Sequence, residues 1–176
     1  GPSISANLPT GTITSTSATI SAQYSDAVSA IDTSSVVLKL DGTAVSGAAV
    51  TSTGISYSAT GLSQGSHSVL LTVKDSPGNP AILNWSFKVD SLGPSISANL
   101  PTGTITSTSA SIGASYSDAT SPIDTSSVAL KLDGTAVSGA TVTSTGVSYS
   151  AAGLSNGNHT VELTVKDVVG NQATLT

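Results

Sequence analysis

The side chains in this sequence best equipped for chemistry are carboxylates: ten acidic residues, nine of them Asp, stand against five Lys, two His, no Arg and no Cys. Asp118, Asp124, Asp167 and Asn171 fall in two loops expected at one end of the second of two sequence repeats, and Asp90 leads into that same end. Four carboxylates and an amide oxygen converging there would supply the hard oxygen donors, about six to eight in number, that Ca2+ takes. Asp90, Asp118, Asp124, Asp167 and Asn171 therefore form a candidate Ca2+ site. The same residue types beside Gly, Ser and Asn are also ordinary turn formers whose carboxylates accept backbone N–H groups. No compact D-x-D-x-D ligand loop is present.

Other motifs are weaker. Gly61-Leu62-Ser63-Gln64-Gly65 and Gly153-Leu154-Ser155-Asn156-Gly157 match the nucleophile-elbow pattern G-x-S-x-G. That pattern needs a strand-to-helix turn with His and Asp partners, whereas here it links two strands in a Gly- and Ser-rich chain. A turn is the expected reading, and no catalytic residue is assigned. Asn84-Trp85-Ser86 and Asn158-His159-Thr160 fit the N-glycosylation sequon, which makes Asn84 and Asn158 candidate glycan acceptors. Five Lys against ten acids, for a net charge of -5, leave nucleic acid and anionic lipid without an electrostatic footprint. No apolar run approaches the roughly 20 residues of a membrane span, so no membrane insertion is expected in this segment.

The elements that must position these groups are strands. Ser, Thr and Val are frequent, strong helix formers are scattered without a 3.6-residue stripe, and the composition points to an all-β protein. The string GPSISANLPTGTITSTSA at Gly1 to Ala18 recurs unchanged at Gly93 to Ala110, and the match runs gap-free to the chain end at a period of about 92 residues. Two domains follow, 1–92 and 93–176, joined across Asp90-Ser91-Leu92-Gly93-Pro94.

Within a copy, Ala18, Ile20, Ala22 and Tyr24 alternate with polar residues, as a half-buried strand requires. Val36, Leu38 and Leu40 form the next inward set, before a tight turn at Asp41-Gly42. Val69, Leu71 and Val73, then Leu83, Trp85, Phe87 and Val89, supply the last two strands. Differences between the copies fall on the outward faces: Thr19/Ser111, Ser21/Gly113, Gln23/Ser115, Val37/Ala129, Leu70/Glu162 and Ile82/Thr174. A one-residue slip would bury all of them, so the register is fixed.

Several stretches resemble the bacterial and archaeal immunoglobulin-like repeats found in tandem in surface adhesins, stalks and secreted multidomain proteins. They are Tyr24-Ser25-Asp26 with Ile31-Asp32, Ser35 to Gly42, Leu62 to His67, Thr72 to Asp75 with Gly78-Asn79, and Trp85 to Asp90. The resemblance implies two tandem Greek-key β-sandwiches at an extracellular or cell-surface location. It further implies a structural role as spacer or filament module, with adhesion to a carbohydrate or cell surface as the alternative. In such sandwiches a residue at the position of His67 and His159 braces the preceding corner.

Nothing in the second copy matches Trp85 to Asp90, since Thr176 corresponds to Asn84. The second sandwich is therefore expected to lack its last strand. A continuing chain with further copies of the repeat, a neighbouring subunit donating a strand, or a ragged end would each account for that.

Overall fold

The computed structural model describes residues 1–176, the side chains of Ala6, Ala98 and Asn99 excepted. The chain separates into two compact units, Gly1–Ser91 and Leu92–Thr176. Both are built from strands, and the described residues contain no helix.

The first module has nine strands: β1 (Ser3–Leu8), β2 (Gly11–Ile13), β3 (Ala18–Ser25), β4 (Ile31–Leu40), β5 (Thr43–Ala44), β6 (Ala49–Val50), β7 (Gly54–Ala59), β8 (Gly65–Asp75) and β9 (Pro80–Val89). They form two sheets, ordered β1-β3-β7-β6 and β2-β9-β8-β4-β5. The alternation seen in sequence sets what lies between them: Ile20, Ala22 and Tyr24 from β3, Leu38 from β4, Ile55 and Ala59 from β7, and Val69, Leu71 and Val73 from β8 are buried. Phe87 and Val89 of β9 close this core, with Trp85 packed against it. Gly54 must be glycine, because a Cβ there would come within 2.9 Å of the Ala22 carbonyl oxygen across the β3–β7 pair.

The second module repeats the plan with β10 (Ser95–Leu100), β11 (Ala110–Ser117), β12 (Ile123–Leu132), β13 (Thr135–Ala136), β14 (Thr141–Val142), β15 (Gly146–Ala151), β16 (Val161–Asp167) and β17 (Gln172–Leu175). Its sheets run β10-β11-β15-β14 and β13-β12-β16-β17. The last strand is present as four residues, paired with Leu163 to Lys166 of β16. Two further differences follow from its shortness. In the first module β9 continues through Trp85, Phe87 and Val89, which pair with Val69, His67 and Gly65. That extension lets β8 begin at Gly65 and carries β2 parallel to Phe87–Val89. In the second module β16 begins only at Val161, and residues 103–105 form no strand.

The register read from the copy differences holds. Thr19, Gln23, Val37 and Ile82 and their counterparts are exposed, while Leu70 and Glu162 are half-buried beside Lys39 and Lys131. The strand expected from Val36 in fact starts at Ile31, because an irregularity between Asp32 and Val37 lets Ile31 and Asp32 pair again with Asp75 and Lys74.

Candidate functional site

Each module gathers its buried polar chemistry at two places. The first is where the aspartates ending β3 and β8 meet. Asp26 Oδ1 accepts the N–H groups of Val28 and Ser29, both at 2.8 Å. Asp75 Oδ1 accepts the Asn79 N–H at 2.7 Å, and its Oδ2 accepts Asn79 Nδ2 at 2.7 Å. These bonds explain why Asp stands there: a carboxylate bonding forward along the chain fixes the turn. The backbone bonds of Ser29 and Val28 hold Asp26, and the Asn79 side chain holds Asp75, below the ordinary carboxylate range.

The second module rebuilds the arrangement with three of the residues singled out in sequence. Asp118 Oδ1 accepts from Thr120 and Ser121 N–H at 2.8 Å. Asp167 Oδ1 accepts from Val169 and Asn171 N–H at 2.9 Å, and Asn171 Nδ2 donates to Asp167 Oδ2 at 2.8 Å. Carboxylate oxygens of Asp118 and Asp167 lie within 4.8 Å of each other. Asp124 stands apart from that pair. Its Oδ1 takes the hydroxyl of Ser126 at 2.5 Å and its N–H at 3.0 Å, and in the ladder it faces Lys166. The Ser126 hydroxyl, with Lys166 adding a smaller push, lowers its pKa. Asp90 closes the first module, where its N–H donates to the Ile13 carbonyl at 2.9 Å. Next to it, Ser91 is clasped by Gln64 through two hydrogen bonds of 2.7 and 2.9 Å.

The second place is the corner before β8. His67 is buried, with Nδ1 2.7 Å from Asp41 Oδ2 and Nε2 2.9 Å from the Ser63 carbonyl oxygen. Both ring nitrogens face acceptors, so both carry protons when these bonds are made and the ring is an imidazolium. Burial by itself would lower its pKa, but the Ser63 carbonyl and the Asp41 carboxylate hold it above the ordinary value. Asp41 also accepts the Ser68 N–H at 2.8 Å, and it occupies a left-handed conformation, φ 50°, that Asp tolerates better than most residues.

Asp, His and a G-x-S-x-G serine thus lie together, yet not as a nucleophile and base. The ring addresses the carbonyl of Ser63, a group with no proton to give up. His159 repeats the pattern with Asp133 at 2.7 Å and the Ser155 carbonyl at 2.9 Å. Here the Asp133 hydrogen bond is the main cause of a raised pKa. Both histidines brace corners.

Asn84 is exposed on β9 and Asn158 is exposed in the turn before β16, so both sequons are reachable from solvent. Sequence reasoning missed the Tyr24 hydroxyl, which reaches the carbonyl oxygens of Thr51 and Gly54 at 2.9 Å, as Tyr116 reaches those of Thr143 and Gly146. Only the fold reveals that a side chain placed in the core by its period also carries a polar tip to a turn. Burial raises both tyrosine pKa values.

The shortened last strand leaves an apolar groove in the second module, lined in part by Ile112, Leu130, Val161, Leu163 and Leu175. The corresponding residues of β8 in the first module, Val69 and Leu71, pair with Trp85 and Leu83 of β9.

No protein-family model matches this sequence, and no curated protein matches it. Solved structures do. The chain is similar to immunoglobulin domains 1–4 of Sidekick-1, with TM-score 0.59 and 14% identity over 99% of this chain and 47% of that one. It is also similar to the insect immune protein hemolin, with TM-score 0.51 and 14% identity over 99% of this chain and 45% of that one. This chain thus spans just under half of either. At such identity the likeness establishes the fold alone: two immunoglobulin-like β-sandwiches in tandem.

Proposed function

We propose that this chain is a structural part of an extracellular tandem-repeat protein of a bacterium or archaeon, a stalk or filament in which it acts as spacer and assembly unit. The groove on the second module carries the reading. Its lining includes Val161, whose counterpart Val69 pairs with Trp85 in the first module, and Leu175, whose counterpart Leu83 lies on the strand that continues to Trp85, Phe87 and Val89, so the occupant it fits is a strand of the same kind, contributed by a further copy of the repeat. Such a strand would run antiparallel to β16 and parallel to residues 103–105, as β9 runs against β8 and β2.

Catalysis finds no support in the corner histidines, whose ring nitrogens are both engaged in bracing. Exposed Asn84 and Asn158 suit a glycosylated surface protein, which intact mass of the native material checks. The described residues contain no helix long and apolar enough to cross a membrane.

The decisive experiment appends Asn-Trp-Ser-Phe-Lys-Val-Asp, the sequence of residues 84–90, after Thr176. The extended chain should melt higher in its second transition and protect the amides of residues 157–161 from exchange. The free heptapeptide should bind the unextended chain, and replacing its Trp and Phe by Ser should abolish binding. An extension without effect on either readout rejects the assembly reading.

A further inference from the structure

The outward face of the sheet β2-β9-β8-β4-β5 carries apolar side chains that the core does not use. Val37, Thr72 and Ile82 stand in one row across β4, β8 and β9, and Lys39, Leu70 and Asn84 form the next row on the same face. Val37 and Ile82 are 41% and 63% exposed, and Leu70 is half-buried. Apolar side chains exposed singly need no account, but a contiguous group marks a surface that something covers. Asn84 lies directly opposite Leu70 and two residues along the strand from Ile82. It is exposed, and it opens the sequon Asn84-Trp85-Ser86.

The second module serves as an internal control. Where the first has Val37, Leu70, Ile82 and Asn84, the second has Ala129, Glu162, Thr174 and Thr176. The positions between and beside them are kept: Lys39 and Lys131, Thr72 and Thr164, Lys74 and Lys166. Sequon and apolar patch are thus present together or absent together on an otherwise constant face. The strands pair in the same register in both modules, so the fold does not require the patch. Its size selects the occupant. Three apolar side chains bordered by Lys39 and Lys74 fall far short of the roughly 800 Å2 and 20–30 residues that each partner brings to a stable protein interface. A sugar ring, about as wide as the ~4.8 Å between strands, matches it. The C–H face of such a ring can rest on Leu70 and Ile82 while its hydroxyls reach Thr72 and Lys39.

We propose that Asn84 carries an N-linked glycan whose first sugars lie on the patch formed by Val37, Leu70 and Ile82 and cover it. In the transfer, Asn84 Nδ2 attacks the anomeric carbon of an activated glycosyl diphosphate. The C–N bond forms, the C–O bond to the diphosphate breaks with its electron pair leaving on oxygen, and Nδ2 gives up one proton to a base of the transferring enzyme. The attached sugar then shields Ile82 and Val37 from water, which the second module, with Thr174 and Ala129 there, does not need. This inference rests on the extracellular reading above, since a sequon is modified in an exported chain. It concerns Asn84 alone and makes no use of the groove.

The test begins with a peptide map of the native protein. Trypsin cuts after Lys74 and Lys88, so residues 75–88 leave as one peptide in which Asn84 opens the only sequon. That peptide should carry added sugar mass, placed on Asn84 by fragmentation. Thermal melting of protein made in the source organism then tests the platform. Asn84→Gln, which prevents attachment, should lower the first module's melting temperature by about 3 °C. Leu70→Glu with Ile82→Thr, the second module's residues, should leave the glycan attached and shrink the Asn84→Gln shift to under about 1 °C. Both residues suit the ladder, as Glu162 beside Lys131 shows. An unmodified peptide 75–88 overturns the proposal, and if Asn158 is modified in the same sample the extracellular reading survives that failure. Equal Asn84→Gln shifts in the two backgrounds overturn the platform. A chain unmodified at Asn84 that dimerises until Leu70→Glu is introduced gives the patch to a second copy instead.

Discussion

His67 and His159 meet the same partners at the same distances, an Asp carboxylate at 2.7 Å and a carbonyl at 2.9 Å, yet their side chains are 5% and 21% exposed. The hydrogen bonds come from residues within one short stretch of sequence and a neighbouring turn, which both copies share. The covering comes from Phe87, which stacks on His67 with ring centroids 5.3 Å apart and has no counterpart over His159. The comparison separates two contributions that usually arrive together. Residues that both copies share fix which groups bond; the strand extension found only in the first module decides how dry those bonds are. Leu62 and Val69, buried in the first module, correspond to half-buried Leu154 and Val161, and Ile13 to exposed Ile105, so the same rule holds for the apolar residues around the corner.

The sharpest way to break the comparison is to remove the cover. Phe87→Ala should destabilise the first module by about 3–5 kcal/mol, the cost of a large-to-small change in a packed core. Urea denaturation measures it, and the His67 NMR titration should move toward that of His159. A loss under about 1 kcal/mol would mean that β9 is not what separates the modules.

Next in size is the charge partner. Asp41→Asn keeps the left-handed backbone comfortable and retains an acceptor, so it tests the carboxylate itself. It should cost about 1.5 kcal/mol, the scale of a hydrogen bond to a charged group. Asp133→Asn should cost less, because water reaches the His159 ring. Equal costs would show that covering the ring adds nothing to the pair.

Much of this was legible in sequence, and the parts that were not share a cause. The period-two alternation of Ala18 to Tyr24 and of His67 to Lys74 fixed register without ambiguity, because a slip would bury Gln23 and Glu162. The placement of Asp118, Asp167 and Asn171 followed from which loops share an end of a Greek key. Asp124 did not, because its proximity in sequence to Asp118 hides a bulged strand start that turns it toward Ser126 and Lys166. Asp41 was read only as a turn residue at Asp41-Gly42; its bond to His67, 26 positions away, is a long-range contact that no local pattern encodes.

Protonation offers a gentler probe. The folded pKa of His67 lies above its unfolded value near 6.5, so folding favours the imidazolium. Its contribution is complete below about pH 6.5 and is lost as pH rises through the raised folded value. The urea midpoint of the first module should therefore fall across that window. His67→Gln should flatten the profile while leaving a corner-bracing side chain in place. A midpoint that instead rises with pH would assign His67 a neutral ring in the folded state.

The smallest expected effect concerns the one strand position where the second module gained a charge. Glu162 faces Lys131 across the β12–β16 ladder with Nζ 2.7 Å from Oε1, whereas the first module sets Leu70 against Lys39. The pair is short but wet, at 44% and 39% exposure, and such surface pairs contribute about 0.5 kcal/mol or less. Glu162→Leu, which restores the first module's residue, should stay within that range by urea denaturation and lose its salt dependence. A cost above about 1 kcal/mol would mean that the second module, short of its last strand, depends on this ion pair to hold β16 against β12, and that polar cross-strand contacts had taken over work that Trp85 and Phe87 perform in the first.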